Sequence, residues 1–465
     1  MYAKKVFLPV YLSENENPGS VEDLLIDQFF FICIRRICRI DVEYGSISLF
    51  YGWIEGCDTM LMAKMDDGRL ISLIPPAYTL TELQTLRASR RFYCPVCRSP
   101  VILKLGRKKK WHFAHHTDEA CLIETEPETP GHVTGKADLY LWAGRHGRAP
   151  KLERYFPDLR QRPDVYLPGI HPTAFEYQCS TIPEETFIRR TLGYLSQGID
   201  PAWILGSTRR KRWGAFTRLT GFEPMTIRYA MTSPAGAYPF SSSYYVCYYD
   251  PNEKVFSFAA HLHAASETLF IAQEISHSLR NIRPFQVVTP TFPFFSDTFK
   301  QKWLARKKQQ RLAPSIRCGD TEYLIRTLAY RMRLDFSYYP AFVGLPHEDY
   351  IHLQTPPYLW QMWVYFMIRS LSGCFSAKTL IHLYLCFCRQ NHHARKLFSM
   401  RRLPLCPKRS LGQLIETYLN QLVLLGAVKK AGGAYRASAT FNHRLPIDEL
   451  LKEDRRMLER LERPM

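Results

Sequence analysis

With 465 residues, a hydrophobic fraction of 46% and an aromatic fraction of 14%, the chain is long enough for two to four domains and too apolar for a disordered protein. Its net charge of +19 and pI near 9.4 favour a polyanionic partner, nucleic acid ahead of an anionic membrane surface. No apolar run approaches the ~18–20 residues of a membrane helix, and no signal-peptide pattern opens the chain, so the sequence argues against membrane insertion and export. The expected location is the cytoplasm, where the 13 cysteines stay reduced and a close pair points to metal rather than to a disulfide.

Residues 1–59 hold a polar stretch, Ser13–Ser20, then an apolar and basic run, and no motif. They read as an uncertain extension, with translation starting at Met60 or Met62. From there MLMAKMDDGRLISLIPP reads as strand, Asp-Asp-Gly turn and strand, followed by a helix, TLTELQTLR, begun by Thr79 or Thr81. These elements and the cysteine–histidine segment after them form a module spanning 60–121.

In FYCPVCRSPVILKLGRKKKWHFAHHTDEAC, Cys94 and Cys97 make a knuckle, and His112, His115, His116 and Cys121 follow. Structural zinc takes four tetrahedral N/S ligands, often as two short-spaced pairs around a hairpin, and VILKL with the Gly106 turn supplies the hairpin. The expected set is Cys94, Cys97, His115 and Cys121, with His112 as a competitor. A metal-free ribbon, its cysteines packed as apolar residues and its histidines facing DNA, is the competing reading. On the turn, Arg107, Lys108, Lys109 and Lys110 stand beside Trp111, a pattern suited to phosphate contacts and base stacking. The plain alternative is a solvated turn.

Residues 122–210 read as helix (Pro130–Trp142), short strand (Leu152–Tyr155), the strand pair DVYL and AFEYQ, helix (Glu184–Ser196) and strand AWILG. Thr181 and Glu184 have capping-box spacing, and Gly198 stands where a C-terminal glycine belongs. The strand–helix–strand order makes AFEYQ and AWILG parallel neighbours. Residues 211–300 are mixed, with a hairpin turning at Asp250-Pro251-Asn252. Residues 301–465 are helical and basic. There SLGQLIETYLNQLVLLGAVKKAGGAYRAS has the outline of a winged helix, Tyr350–Leu371 reads as a core helix, and the tail from Asp448 is a charged helix. The run Lys300 to Lys308 reads as a solvated helix face, with a DNA track as its functional alternative.

Asp164 and Glu176 lie twelve residues apart inside strands that otherwise read as buried, and Gln178 follows on the face of Glu176. Antiparallel pairing through LPGIHPT brings the two acids together. Two such acids repel without a cation, and burying them unpaired is costly. A divalent metal between them answers both problems, and it is the device by which many enzymes cleave phosphodiesters. The structural alternative is neutralisation by Arg162 or Lys136.

The ordered blocks CPVC, HFAH, His132-x3-Lys136, RPDV, EYQCS and WILG, from about Met60 to Gly206, resemble the competence protein CoiA family, which is similar to PD-(D/E)xK nucleases. That resemblance implies an α/β protein with a restriction-endonuclease-like core, an N-terminal zinc-ribbon-like module and a mostly α-helical C-terminal region. It implies a Mg2+- or Mn2+-dependent nuclease that processes internalised single-stranded or branched DNA in natural transformation, with recombination proteins as further partners. Asp164 and Glu176 match the metal-binding acids. Gln178 stands where many superfamily members have lysine, Lys136 is the substitute, and Glu128 fits an acid on the first helix. Glu153 is a further candidate acid, and His132 a candidate phosphate contact. The departure at Gln178 keeps a second reading open: a non-catalytic DNA-binding recombination factor with a nuclease fold.

Overall fold

The computed structural model describes residues 59–74, 78–106, 110–116, 129–230, 240, 242–293, 296–442 and 444–462. These all belong to one compact unit, Gly56–Met465. The expectations for residues 1–58, Arg107–Lys109, Cys121 and Glu128 lie outside the described residues.

The N-terminal strands are β1 (Thr59–Met60), β2 (Met62–Met65), β3 (Leu70–Ser72), β4 (Phe92–Tyr93), β5 (Pro100–Lys104) and β6 (His112–His115). They form an antiparallel sheet in the order β1-β6-β5-β4-β2-β3. The Asp66-Asp67-Gly68 turn forms as expected, with Gly68 at φ +85°. Thr79 caps helix α1 (Leu80–Ser89), and Glu82 completes the box.

The larger sheet follows α2 (Pro130–Arg145). Its strands are β7 (Lys151–Leu152), β8 (Val165–Leu167), β9 (Thr173–Gln178), β10 (Asp200–Gly206), β11 (Lys211–Trp213), β12 (Phe216–Arg218), β13 (Arg228–Tyr229), β14 (Tyr244–Asp250), β15 (Val255–Ala264) and β16 (Leu269–Ser278), with α3 (Glu184–Ser196) between β9 and β10. The order is β11-β12-β16-β15-β14-β10-β9-β8-β7, and β13 pairs with β14. The strands β7, β8 and β9 are antiparallel, then α3 carries the chain over to β10, which runs parallel to β9. Helix, three antiparallel strands, helix and parallel strand is the expected nuclease-like order. The hairpin joining β14 to β15 also forms, with Asp250 opposite Val255.

Two local expectations change. The strand expected at Leu152–Tyr155 stops at Leu152 because Glu153 turns into the left-handed region at φ +47°. The capping box at Thr181 does not form: Pro183 is the N-cap, and the Thr181 hydroxyl instead accepts from the Arg209 guanidinium. Gly198 does take the expected positive φ, +66°.

A short helix, α4 (Pro284–Val288), leads to the helical C-terminal region: α5 (Ser296–Leu312), α6 (Asp320–Arg331), α7 (Pro357–Ser370), α8 (Ala377–Gln390), α9 (Leu411–Leu424) and α10 (Ile447–Glu462). Helix α7 is apolar almost all round and is correspondingly buried, with Trp360 and Trp363 at the centre of the core. After α9 comes a two-stranded antiparallel hairpin, β17 (Val428–Ala431) and β18 (Ala434–Ala437). The basic face of α5 departs from the sequence reading. Lys307 is buried, 2.8 Å from Asp454 of α10, and its ammonium donates to the Ala341 carbonyl at 2.5 Å. Among the described residues no helix is long and apolar enough to cross a membrane.

Candidate functional site

The register of β8 and β9 places Val165 opposite Phe175, so Asp164 and Glu176 are the next facing pair. The Tyr177 amide clamps this geometry by donating to Asp164 Oδ2 at 2.8 Å. Phe175 and Tyr177 point to the face covered by α2, where Phe175 packs on Trp142. Glu176 points to the opposite face, against α3.

Helix α2 approaches the sheet closely because Gly135 has no side chain: a Cβ there would lie 2.1 Å from the Tyr177 ring. The residues flanking that contact are His132 and Lys136, which share one face at i, i+4 spacing. His132 Nε2 lies 3.3 Å from Asp164 Oδ2. Lys136 Nζ donates to Glu153 Oε1 at 2.8 Å and stands 3.4 Å from Asp164 Oδ1. The left-handed backbone at Glu153 turns its carboxylate to this lysine, and the Leu61 amide donates to the same oxygen at 3.4 Å. Arg162 Nη1 is 4.0 Å from the other oxygen of Glu153.

Burial alone would raise the carboxyls of Glu153 and Asp164, but neighbouring cations prevail. Lys136 and Arg162 hold Glu153 below its ordinary value. Lys136 and His132, with the Tyr177 amide, hold Asp164 well below the usual carboxylate range. Asp164 therefore remains an anion, and it keeps 14% of its side chain exposed, whereas Lys136 keeps 1%.

Glu176 has a different environment. Arg190 donates to Oε2 at 2.6 Å and Tyr194 to Oε1 at 2.6 Å, both from α3. Burial still pushes its carboxyl up to about 7, opposed by Arg190 and reinforced by the charge of Asp164. The structural alternative from the sequence, neutralisation by Arg162 or Lys136, holds for Lys136 at Asp164 but not at Glu176, where it missed Arg190 and Tyr194. Their signal was i, i+4 spacing on the crossover helix that leaves the acid-bearing strand. Gln178 is buried, and its amide donates to the Ser180 carbonyl and hydroxyl at 3.1 and 3.0 Å.

In the N-terminal sheet the donor atoms of Cys94, Cys97 and His115 all lie within 4.8 Å of one another. Cys97 Sγ is 3.2 Å from His115 Nε2, and the Val96 amide donates to Cys94 Sγ at 3.4 Å. His112 stands outside this cluster, its Nδ1 2.7 Å from the Lys110 carbonyl. Lys110 is exposed, while Trp111 is half-buried and packed against the hydrophobic core, which leaves only part of its ring for stacking.

Comparison with known proteins covers all three regions in order. The family model for the competence protein CoiA N-terminal domain matches residues 77–124, that for the nuclease-like domain residues 128–292, and that for the C-terminal domain residues 299–441. The chain belongs to the competence protein CoiA family. A CoiA relative from Bacillus subtilis (strain 168), the competence protein CoiA, is 29% identical over 350 residues, covering 73% of this chain and 88% of the relative. No solved structure matches.

The CoiA nuclease-like match encloses every member of the acidic cluster, from His132 to Tyr194, and the CoiA N-terminal match encloses the cysteine–histidine group. Chemically, Asp164 offers a partly exposed carboxylate to a hard divalent cation, with Glu176 on the neighbouring strand close enough for its carboxyl to feel that charge. Cys94, Cys97 and His115 offer the sulfur and imidazole donors that zinc prefers.

Proposed function

We propose that this CoiA-family protein cleaves DNA phosphodiesters with Mg2+ or Mn2+ while internalised DNA is processed in natural transformation. The observation that carries the reading is the facing of Asp164 and Glu176 across adjacent antiparallel strands, with Lys136 beside the first acid. A divalent cation held by Asp164 and Glu176 would polarise the phosphate and acidify a water.

The chain's own groups do the rest. His132 and the Tyr177 amide orient Asp164. Lys136, fixed between Glu153 and Asp164, substitutes for the lysine that many members of the superfamily carry two residues after the second acid. Gln178 lines the face of Glu176. Glu128 remains a candidate assisting acid. Zinc held by Cys94, Cys97 and His115, with Cys121 as the expected fourth ligand, would staple the N-terminal sheet. Cys97→Ala should then reduce the zinc content of purified protein, measured by atomic absorption, to background.

A second reading has its own observation: Arg190 and Tyr194 already satisfy both oxygens of Glu176. A recombination factor that binds DNA without cutting it would retain such a closed cluster. The deciding experiment compares cleavage of labelled single-stranded, duplex and branched DNA with Mg2+, Mn2+ or EDTA, for wild type, Asp164→Ala and Glu176→Ala. Metal-dependent cutting lost in both variants, with binding kept, supports the nuclease. Binding without cutting on every substrate supports the non-catalytic factor.

A further inference from the structure

The C-terminal helical region has a charge pattern that the nuclease-like cluster does not use. No Asp or Glu occurs between Asp349 and Glu416, while nine lysines and arginines do. The fold turns some of these inward: Arg401 is buried and donates to backbone carbonyls, and Arg409 pairs with Asp349. Lys378, Arg389, Arg395, Lys396, Arg402 and Lys408 stay exposed. An acid-free stretch that presents this many cations is built for a polyanion.

Beside it, α6 exposes two large aromatic rings. Tyr323 is 68% and Tyr330 83% exposed. Seven residues apart, they project from nearly the same side of the helix, about 10 Å apart along its axis. The turn 392–398 packs at one end of this face, with His393 Nδ1 3.4 Å and Lys396 Nζ 3.5 Å from Asp320, one turn ahead of Tyr323. Those two pairs are solvent-exposed, so a phosphate can compete for the cations. Glu322, the other acid of α6, is already tied to Arg326 and Tyr358. At the far end Arg331 and Arg333 are exposed beyond Tyr330. The chain then leads back to the nuclease-like cluster: Arg402 Nη1 lies 3.8 Å from Glu184, the first residue of α3, the helix that carries Arg190 and Tyr194.

We propose that α6 and the turn 392–398 form a track for single-stranded DNA, with bases stacking on Tyr323 and Tyr330 and phosphates on Arg395, Lys396 and Arg331. The inference rests on reading the protein as one that handles DNA, and it adds where the strand lies and why that strand is single. Ring faces of bases are available only in unpaired strands, whereas a duplex engages cations alone.

The test uses the full chain in EDTA and measures the anisotropy of a fluorescein-labelled oligothymidylate and of a duplex of equal length. Replacing both Tyr323 and Tyr330 by Ala should weaken single-strand binding about tenfold or more and leave duplex binding within about twofold. Replacing both by Phe should restore it, since the ring is what stacks. Replacing Arg395 and Lys396 by Gln should flatten the dependence of log affinity on log salt by about 1.4 for the single strand. Unchanged affinity in the Ala pair, equal losses on single strand and duplex, or a preference for oligouridylate over oligothymidylate would overturn the proposal. The two readings fail separately. Wild type that binds the oligonucleotide through these tyrosines without cutting sinks only the nuclease. Cutting that is lost in Asp164→Ala, with oligonucleotide binding indifferent to the tyrosines, sinks only the track.

Discussion

Two buried ion clusters in this molecule differ in how far they are closed to solvent. In the nuclease-like domain Lys136 sits between Glu153 and Asp164, Arg162 stands 4.0 Å from Glu153, and on the next strand Glu176 pairs with Arg190. In the C-terminal region Asp454 sits between two cations, Lys307 and Arg311. The second cluster is sealed. Arg311 makes a two-pronged contact with Asp454, at 2.7 and 2.9 Å, and spends another nitrogen on the carbonyls of Ser337 and Tyr339. It fastens α10 to α5, and its cationic excess falls on Lys307, whose ammonium burial pushes down to about 8. The first cluster is partly open at Asp164 and strained at Glu153. An acid left partly exposed at an accessible edge suits an incoming cation, whereas a sealed cluster suits a staple.

Removing one acid from each cluster sharpens the contrast. On the nuclease reading, Asp164→Ala should lower metal-dependent cleavage at least about 10³-fold, read by single-turnover gel assay, while Lys136 keeps Glu153 as its partner and the fold survives. Asp454→Ala strands two buried cations and should cost about 3–5 kcal/mol in urea unfolding, without a specific defect in cleavage per folded molecule. If Asp454→Ala were the milder of the two in unfolding, the distinction between staple and site would collapse.

Glu176 supplies a pH test in metal-free protein. Its carboxyl is raised from an ordinary 4.5 to about 7, so the folded state holds the proton more tightly than the unfolded state. Its contribution is fullest below about 4.5 and is lost as pH rises through about 7. Glu176→Gln should remove up to about 3 kcal/mol of that loss, measured by denaturant unfolding in EDTA at about pH 5 and about pH 8. A pH slope unchanged by the substitution would mean that Arg190 neutralises the acid fully. The smallest effect expected is at the helix–sheet contact. Gly135→Ala drives a Cβ into Tyr177 and should cost about 1–3 kcal/mol, with cleavage falling further than stability because Lys136 and His132 move with the helix.

Much of the framework was legible because its signals are local. The turn at Asp66-Asp67-Gly68, the Thr79 cap, the hairpin after Asp250 and the buried character of Tyr350–Leu371 depend on residues close in sequence. The facing of Asp164 and Glu176 was legible too, since a short connection between two strands makes them antiparallel and alternation then sets the faces. Arg190 and Tyr194 were not, because their i, i+4 spacing sets them on one helix face without saying which sheet face that helix covers. Lys307 read as solvated for the same reason: a lysine in a basic helix looks exposed until a distant acid, here Asp454, is packed against it.

By itself, then, the sequence determined which segments are helix and strand, where the carboxylates and the cysteine knuckle stand, and that the chain carries a large positive charge. Tertiary structure alone decided which cation meets which acid, that Gly135 lets α2 approach Tyr177, and that the turn 392–398 of the acid-free run meets the start of α6. Periodicity and turn chemistry act over a few residues. Ion pairing and burial depend on the rotation and docking of whole elements, which no short window of sequence contains.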